Sequence, residues 1–221
     1  MTQYPYRSNS YLWFVMILKI ADTMTQARLP RLRRPDPSWL LAVALLLPSL
    51  WAVEASVPAV HGNIWILVDT EQLTLQVFQG EHPVLRLDRI SIGRGGAAPD
   101  RIRGDQQTPI GRYRVVRLNA HSSFHFFIGL DYPSHEQVER AFHKGILNAG
   151  EYGRLLHAFR TGQTPPQDSP LGGQIGIHGL GGANRSLHEL ANWTQGCIAL
   201  TDAQVDRLRR YVAIGTPVLI R

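Results

Sequence analysis

The feature that most constrains the fold of this chain is a period of two in its apolar residues from residue 64 onwards. In one segment, Leu73, Leu75 and Val77 share a face, while the residues between them belong to the other face. This alternation is typical of half-buried β-strands. We therefore expect a mainly β domain built on an antiparallel sheet, with strands over 64–69, 73–78, 84–92, 113–118, 125–130, 174–179, 197–200 and 216–220.

Three segments between these strands carry helix signals. Ser134 is placed to cap a helix over 134–144, and residues 152–159 form a second helical segment. Thr201 begins a capping box, which predicts a third helix through about Val212. The remaining stretch before the strand at 174 is rich in Gly and Pro and longer than most connections, as lids and substrate walls often are.

The N-terminal part of the sequence has the form of an export signal. Basic residues at 31–34 precede an apolar run over 39–53 that ends in small residues such as Ala52 and Ala55. The run is shorter than the ~20 residues that a helix needs to cross a bilayer, so we expect cleavage near Ala55, with an uncleaved anchor as the alternative. A complete signal also starts at Met24, and we expect this residue to be the true start.

These patterns divide the chain into a leader over residues 1–55 and a folded domain over residues 62–221. We expect an exported protein of the periplasm or cell envelope that touches the membrane only through its leader.

The charge of the chain argues against a nucleic-acid partner. The formal net charge is +6, but the first 55 residues contribute six of the 23 bases and three of the 17 acids. The remainder is only mildly basic, so much of the positive charge belongs to the leader and not to a binding face. The Gly- and Pro-rich segment between 92 and 113 fits no nucleotide-binding fingerprint, and no motif with zinc-ligand spacing is present.

A single cysteine, Cys197, requires an explanation in an exported protein. It cannot form an internal disulfide, so it is either a small buried hydrophobic residue or a reactive thiol. A nucleophilic thiol needs a base within hydrogen-bond reach, and His178, in another predicted strand, is the natural candidate. Gly196 allows close approach of a backbone, so that its N–H and that of Cys197 are candidates to hold an oxyanion.

At these residues the sequence resembles the L,D-transpeptidase catalytic-domain family. The family's His-Gly pair corresponds to His178 and Gly179, and 15 residues separate His178 from the segment Thr194-Gln195-Gly196-Cys197-Ile198. Further matching segments are the opening strand and hairpin at 69–80, the turn Gly104-Asp105-Gln106-Gln107-Thr108-Pro109-Ile110-Gly111-Arg112-Tyr113, and the closing segment Gly215-Thr216-Pro217-Val218. The resemblance covers about residues 63–221.

The resemblance implies a β-sandwich or barrel-like domain with a few helices, a Cys197 thioester intermediate and peptidoglycan stem peptides as substrate, without a cofactor or metal. It also implies that a nearby backbone carbonyl holds the histidine, which fits Gly179 and the absence of an obvious triad carboxylate. The sequence departs from the family at two positions. Gln195 stands where a second His is frequent, and Ala199 stands where many members carry Arg or a similar polar residue.

Five residues are candidates for substrate binding. His125 lies on a strand that is predicted to end close to Cys197 and His178. There its side chain either lines the groove for the acyl donor or packs against the protein. Arg185 flanks the catalytic strands and is a candidate to bind a stem-peptide carboxylate. The other three directly precede the cysteine: Trp193, Thr194 and Gln195. Of these, Trp193 is equally suited to the core and to the wall of a subsite.

The leading hypothesis is a cell-wall L,D-transpeptidase that acts on stem tetrapeptides through an acyl-enzyme at Cys197. The acyl acceptor is then the amine of another stem or of a wall protein. With water as the acceptor, the same site gives an L,D-carboxypeptidase or a hydrolase that releases wall-attached protein. A non-catalytic wall-binding module is the third hypothesis, against which the presence of both Cys197 and His178 argues.

Overall fold

The computed structural model describes residues 63–221. The leader, the expected start at Met24 and the start of the folded domain at residue 62 lie outside the described residues. Ten strands follow one another along the described chain: β1 Ile64–Asp69, β2 Thr74–Gln79, β3 His82–Asp88, β4 Ala97–Ala98, β5 Thr108–Pro109, β6 Gly111–Ser122, β7 His125–Leu130, β8 Gly176–His178, β9 Ile198–Ala199 and β10 Pro217–Ile220.

Eight of these strands form one sheet in the order β3-β2-β1-β10-β6-β7-β8-β9, while β4 and β5 form a separate parallel pair. The mainly β fold class is confirmed. The expectation of a purely antiparallel sheet is wrong, because β1 pairs with β10 and β8 pairs with β9 in parallel. Both parallel pairs join segments far apart in the sequence, which strand periodicity does not reveal.

The core explains why the closing strand lies inside the sheet. β10 lies between β1 and β6, with Ile66 opposite Val218 and Val218 opposite Tyr113. All three side chains are buried, as are the apolar residues of β7, β8 and β9. These residues belong to one hydrophobic cluster, whose close packing holds the central strands rigidly. Strands β8 and β9 are part of the same cluster, and they position the site described below.

Residues 63–221 contain four helices: α1 His135–His143, α2 Ala149–Arg160, α3 Arg185–Leu190 and α4 Asp202–Leu208. The helix signals at Ser134 and Thr201 are confirmed, because each residue caps its helix with a complete capping box. α4 ends at Leu208, short of the predicted Val212. The six-residue α3, capped by Asn184, has no apolar periodicity and was not predicted.

Several strand boundaries also differ from the predicted ones. β3 ends at Asp88, and beyond it Ser91 and Gly93 form isolated bridges to Ala199 and Thr194. β8 and β9 are shorter than predicted, whereas β6 continues to Ser122. Among residues 63–221, no helix is both long and apolar enough to cross a bilayer.

Candidate active site

The parallel pair β8 and β9 brings His178 and Cys197 close together. His178 is the last residue of β8 and is paired with Ala199, and Cys197 lies in the bend directly before β9. The register therefore makes Cys197 and His178 diagonal neighbours, with about 8 Å expected between their Cα atoms. Ile177 and Ile198, which are paired in these strands, are fully buried. The packing of these two side chains therefore fixes the strands that present the two candidate catalytic groups.

His178 is held in one tautomer by its own chain. Its Nδ1 lies 2.7 Å from the carbonyl oxygen of Gly179, the kind of contact that the resemblance implies. A carbonyl oxygen only accepts hydrogen bonds, so Nδ1 carries the proton and Nε2 is the basic nitrogen of the neutral ring. The ring is 98% buried against aromatic neighbours, with centroids 4.3 Å from Phe124 and 6.1 Å from both Phe127 and Trp193. Burial is the main reason that the pKa of His178 lies below its ordinary value.

The turn after His178 requires glycine at position 179. A Cβ there would lie 2.8 Å from the carbonyl oxygen of Phe124 and 2.5 Å from the carboxylate of Asp202. The same Asp202 oxygen accepts the N–H groups of Leu180 at 2.7 Å and Gly181 at 2.9 Å. The first residue of α4 thereby fixes the turn that presents the Gly179 carbonyl to His178.

Cys197 is half-buried and donates its thiol hydrogen bond to the carbonyl oxygen of Gln174 at 3.3 Å. Burial raises the pKa of the thiol to about 11, against the smaller lowering effects of the Gly176 backbone and the Arg101 charge. Within the described part of the chain, no hydrogen bond joins Cys197 to His178. The raised pKa of the thiol and the lowered pKa of the imidazole both favour the neutral form of each group at neutral pH.

The loop before Cys197 is fixed by Thr194, which is buried. Its hydroxyl donates to the Cys197 carbonyl at 2.7 Å and accepts the N–H of Gly196 at 3.1 Å. The Gly196 N–H therefore donates to the Thr194 hydroxyl in this structure, and its role as an oxyanion donor stays a prediction. The Cys197 N–H stays a predicted oxyanion donor. At φ 125° Gly196 tolerates no side chain, since a Cβ would lie 2.6 Å from Arg101 Nη1.

Cys197 opens into a groove of 560 Å³. Of the predicted substrate-binding residues, Gln195 lines this groove beside the cysteine. Two loops form the remaining walls, one around residues 101–106 and one around residues 167–173. The second wall belongs to the long connection that the sequence suggested as a lid or substrate wall.

The other predicted binding residues do not line the groove. His125 places Nε2 3.0 Å from the carboxylate of Asp206 on α4. Arg185 lies on α3, where its largely exposed side chain pairs with Glu189 at 3.1 Å. Trp193 is half-buried, and its indole N–H donates to Nδ1 of His188 at 3.3 Å. Its ring therefore contacts the ring of His178 edge-on and does not line the groove.

Sequence reasoning missed residues that the fold brings to the site. Gln174 supplies the carbonyl that accepts the thiol, and Phe124 and Phe127 pack on His178. Arg101 reaches the groove from a segment that the sequence identifies only as a loop. No local signal distinguishes this arginine from its exposed neighbour Arg103. Residues 63–221 contain no group of three or more His, Cys, Asp or Glu side chains able to hold a metal ion.

A β-sheet protein with a Cys and a His brought together by adjacent strands is the class that this fold and site define. The sequence pattern of the L,D-transpeptidase catalytic domain matches residues 63–220, and the chain belongs to this family. Among functionally curated proteins, no sequence matches this chain significantly.

Similar solved structures share the same type of domain at low identity. The helical cell shape determining protein Pgp2 of Campylobacter jejuni is 22% identical, with a TM-score of 0.48 and coverage of 72% of this chain and 47% of that one. The protein Bd1075 of Bdellovibrio bacteriovorus is 20% identical, with a TM-score of 0.45 and coverage of 72% and 48%. An L,D-transpeptidase of Enterococcus faecium is 15% identical, with a TM-score of 0.41 and coverage of 72% and 50%. The chain thus spans about half the length of these proteins.

Proposed function

We propose that this protein is an exported L,D-transpeptidase that uses Cys197 as its nucleophile on peptidoglycan stem tetrapeptides. The observation that carries the proposal is the strand pairing that brings His178, at the end of β8, next to Cys197, which directly precedes β9. The Nδ1 contact to Gly179 supports it, because this contact leaves Nε2 as the nitrogen that accepts a proton.

In the proposed reaction, the Cys197 thiol gives its proton to Nε2 of His178 while the sulfur attacks the substrate. The sulfur forms a bond to the carbonyl carbon of the residue with an L centre, and the oxyanion that develops accepts the Cys197 N–H. Collapse breaks the bond to the terminal D-residue, whose amine takes the proton from His178. An acceptor amine then attacks the thioester, gives up a proton through His178 and restores the thiol.

The pKa values of the two groups favour transfer of the thiol proton during attack and not before it. The pKa of Cys197 is raised to about 11 and that of His178 is lowered, so both shifts disfavour a resting thiolate–imidazolium pair. The histidine is neutral at pH 7 and is therefore available as a base throughout the physiological range.

We also propose the setting of this reaction. Export through the leader over residues 1–55 places the catalytic domain, residues 62–221, in the periplasm or cell envelope. The membrane is touched only through the leader. The acceptor amine comes from another stem peptide or from a wall protein. Gln195 contributes to the donor subsite, and Thr194 contributes indirectly by fixing the loop that carries Gln195. The groove beside Cys197 supports a peptide substrate, since its 560 Å³ accommodates an extended segment of a few residues.

Acylation by a carbapenem, read by intact mass, tests the nucleophile. The parent protein is expected to gain one adduct at Cys197, while Cys197→Ala is expected to gain none and to keep nearly the same Tm, because the thiol lies at the groove and not in the core. A parent protein that stays unmodified would favour a wall-binding module.

The acceptor is tested by digesting purified cell wall with the protein and analysing the muropeptides. New 3-3 crosslinks are expected. Loss of terminal D-residues without crosslinks would instead identify a carboxypeptidase, and released protein a hydrolase.

A further inference from the structure

Arg101 is a buried arginine with unpaired nitrogens. Only 6% of the residue is exposed, yet Nε and Nη1 have no hydrogen-bond partner among the described residues. Buried polar groups in folded proteins nearly always have partners, and a buried charge costs more to leave unpaired than a neutral group. Two donors of the guanidinium are therefore not used by the described part of the protein.

The described residues around Arg101 hold its side chain in place but do not accept hydrogen bonds from its guanidinium group. Its guanidinium carbon lies 5.5 Å from the ring centroid of Tyr132, whose hydroxyl is anchored on the carbonyl of Leu171 at 2.8 Å. Asp105 is the nearest acid, with 3.6 Å between its Oδ1 and Nε. Both oxygens of Asp105 already accept backbone N–H groups, from Ile102 at 2.7 Å and Gln107 at 3.0 Å. Asp105 thus offsets part of the charge but does not use the donors of the guanidinium.

Arg101 lies next to the candidate nucleophile. Its Nη1 packs against Gly196, the residue that precedes Cys197, and its charge lowers the pKa of the Cys197 thiol against the effect of burial. Both Arg101 and Cys197 line the 560 Å³ groove. The other charged residues of this groove are exposed: Arg103, and Asp168, which lies 3.6 Å from Arg154.

We propose that Arg101 binds the free C-terminal carboxylate of the acyl-donor peptide, on the terminal residue that leaves. The inference rests on the proposed function, because it assumes that Cys197 attacks the penultimate carbonyl. In such a peptide the carboxylate is one residue beyond the attacked carbon, about 3.8 Å along the chain. An anion site for it must therefore lie beside the nucleophile, which is where Arg101 lies. Guanidinium groups match carboxylates with two parallel N–H donors, so this site distinguishes a carboxylate from a neutral amide.

This assignment gives the site a chemical specificity that the Cys–His pair alone does not. It restricts the donor to a peptide with a free C-terminus and makes removal or exchange of the terminal residue the favoured reaction.

Ligand binding in the absence of turnover tests the proposal. The full chain carrying Cys197→Ala is titrated with acetyl-L-lysyl-D-alanine and with the C-terminal amide of the same dipeptide. The acid is expected to bind about 10- to 100-fold more tightly than the amide, as a charge-assisted pair predicts. Adding Arg101→Gln is expected to reduce this ratio to about one, and Arg101→Lys to retain part of it, since lysine keeps the charge but not the fork.

Arg160→Gln is the matched control, because it removes the same charge from an exposed position on α2, outside the groove, and should keep the full preference. Equal binding of acid and amide to the parent, or an undiminished preference in Arg101→Gln, overturns the proposal. If Arg101→Gln does not fold, the proposal is decided by the ratio of acid to amide affinity in the parent protein and in Arg101→Lys. Carbapenem acylation of Cys197 is read separately: its absence beside an intact acid preference contradicts the proposed function, and its presence without that preference contradicts only the Arg101 site.

Discussion

At the scale of single residues, His178 is expected to determine how fast Cys197 reacts. His178→Gln keeps a polar side chain of similar reach but removes the base, so acylation should slow by about 10²- to 10⁴-fold at neutral pH. Because burial raises the thiol pKa to about 11, the loss should shrink only as the pH approaches that value, where hydroxide deprotonates the thiol directly. Rates of carbapenem acylation and iodoacetamide alkylation between pH 7 and pH 11 measure this.

The control for this comparison is His143→Gln, an exposed histidine on α1 that should leave both rates unchanged. Equal alkylation of His178→Gln and the parent at pH 7 would show that the imidazole and the thiol are not coupled.

His178 should also make folding stability depend on pH. Burial lowers its pKa in the folded state, so the unfolded chain, with a pKa of about 6.5, binds the proton first as the pH falls. Its contribution to the free energy of unfolding is complete above the unfolded pKa and is lost as the pH falls towards the lowered folded value. His188, whose pKa burial also lowers, acts in the same direction.

Urea unfolding of the parent, His178→Gln and a variant that also carries His188→Gln, at several pH values from 7 downwards, measures this slope. The slope should decrease with each substitution. An unchanged slope in the double variant contradicts the assignment of the loss to these two rings.

At the scale of elements, the loop from Thr194 to Cys197 should depend on one hydroxyl. Thr194→Val keeps the shape but leaves the Gly196 N–H and the Cys197 carbonyl without their partner. We expect a loss of about 1–3 kcal/mol in the free energy of unfolding and slower acylation of Cys197. Thr194→Ser retains the hydroxyl and should recover most of both. Chemical denaturation and intact-mass kinetics on the same preparations separate the two effects.

The elements also show what the sequence could and could not predict. The caps at Ser134 and Thr201 were predictable because a capping box is read from four consecutive residues. The pairing of β1 with β10 was not, because a period of two identifies a strand but not its neighbour. In the site, the Cys–His motif was recognisable from spacing. The burial of Arg101 was not, because it depends on Tyr132 and on a loop some 70 residues away in sequence.

At the scale of the whole molecule, residues 63–221 should be sufficient for folding and for acylation. The family pattern begins at residue 63, and β1 begins at Ile64 in the interior of the sheet, between β2 and β10. The composition before Ala55 is that of a leader, and we propose that this segment is not needed for the fold.

A truncated chain that begins at residue 56 should therefore unfold cooperatively, with a Tm close to that of the full chain, and should be acylated at Cys197 at the same rate. A chain that begins at residue 70 should fail to fold, because it lacks β1 and leaves the apolar edges of β2 and β10 without their common partner. Calorimetry and carbapenem acylation of the three chains measure both quantities. Loss of folding or acylation already in the chain from residue 56 would move the domain boundary into the leader and make that segment part of the catalytic unit.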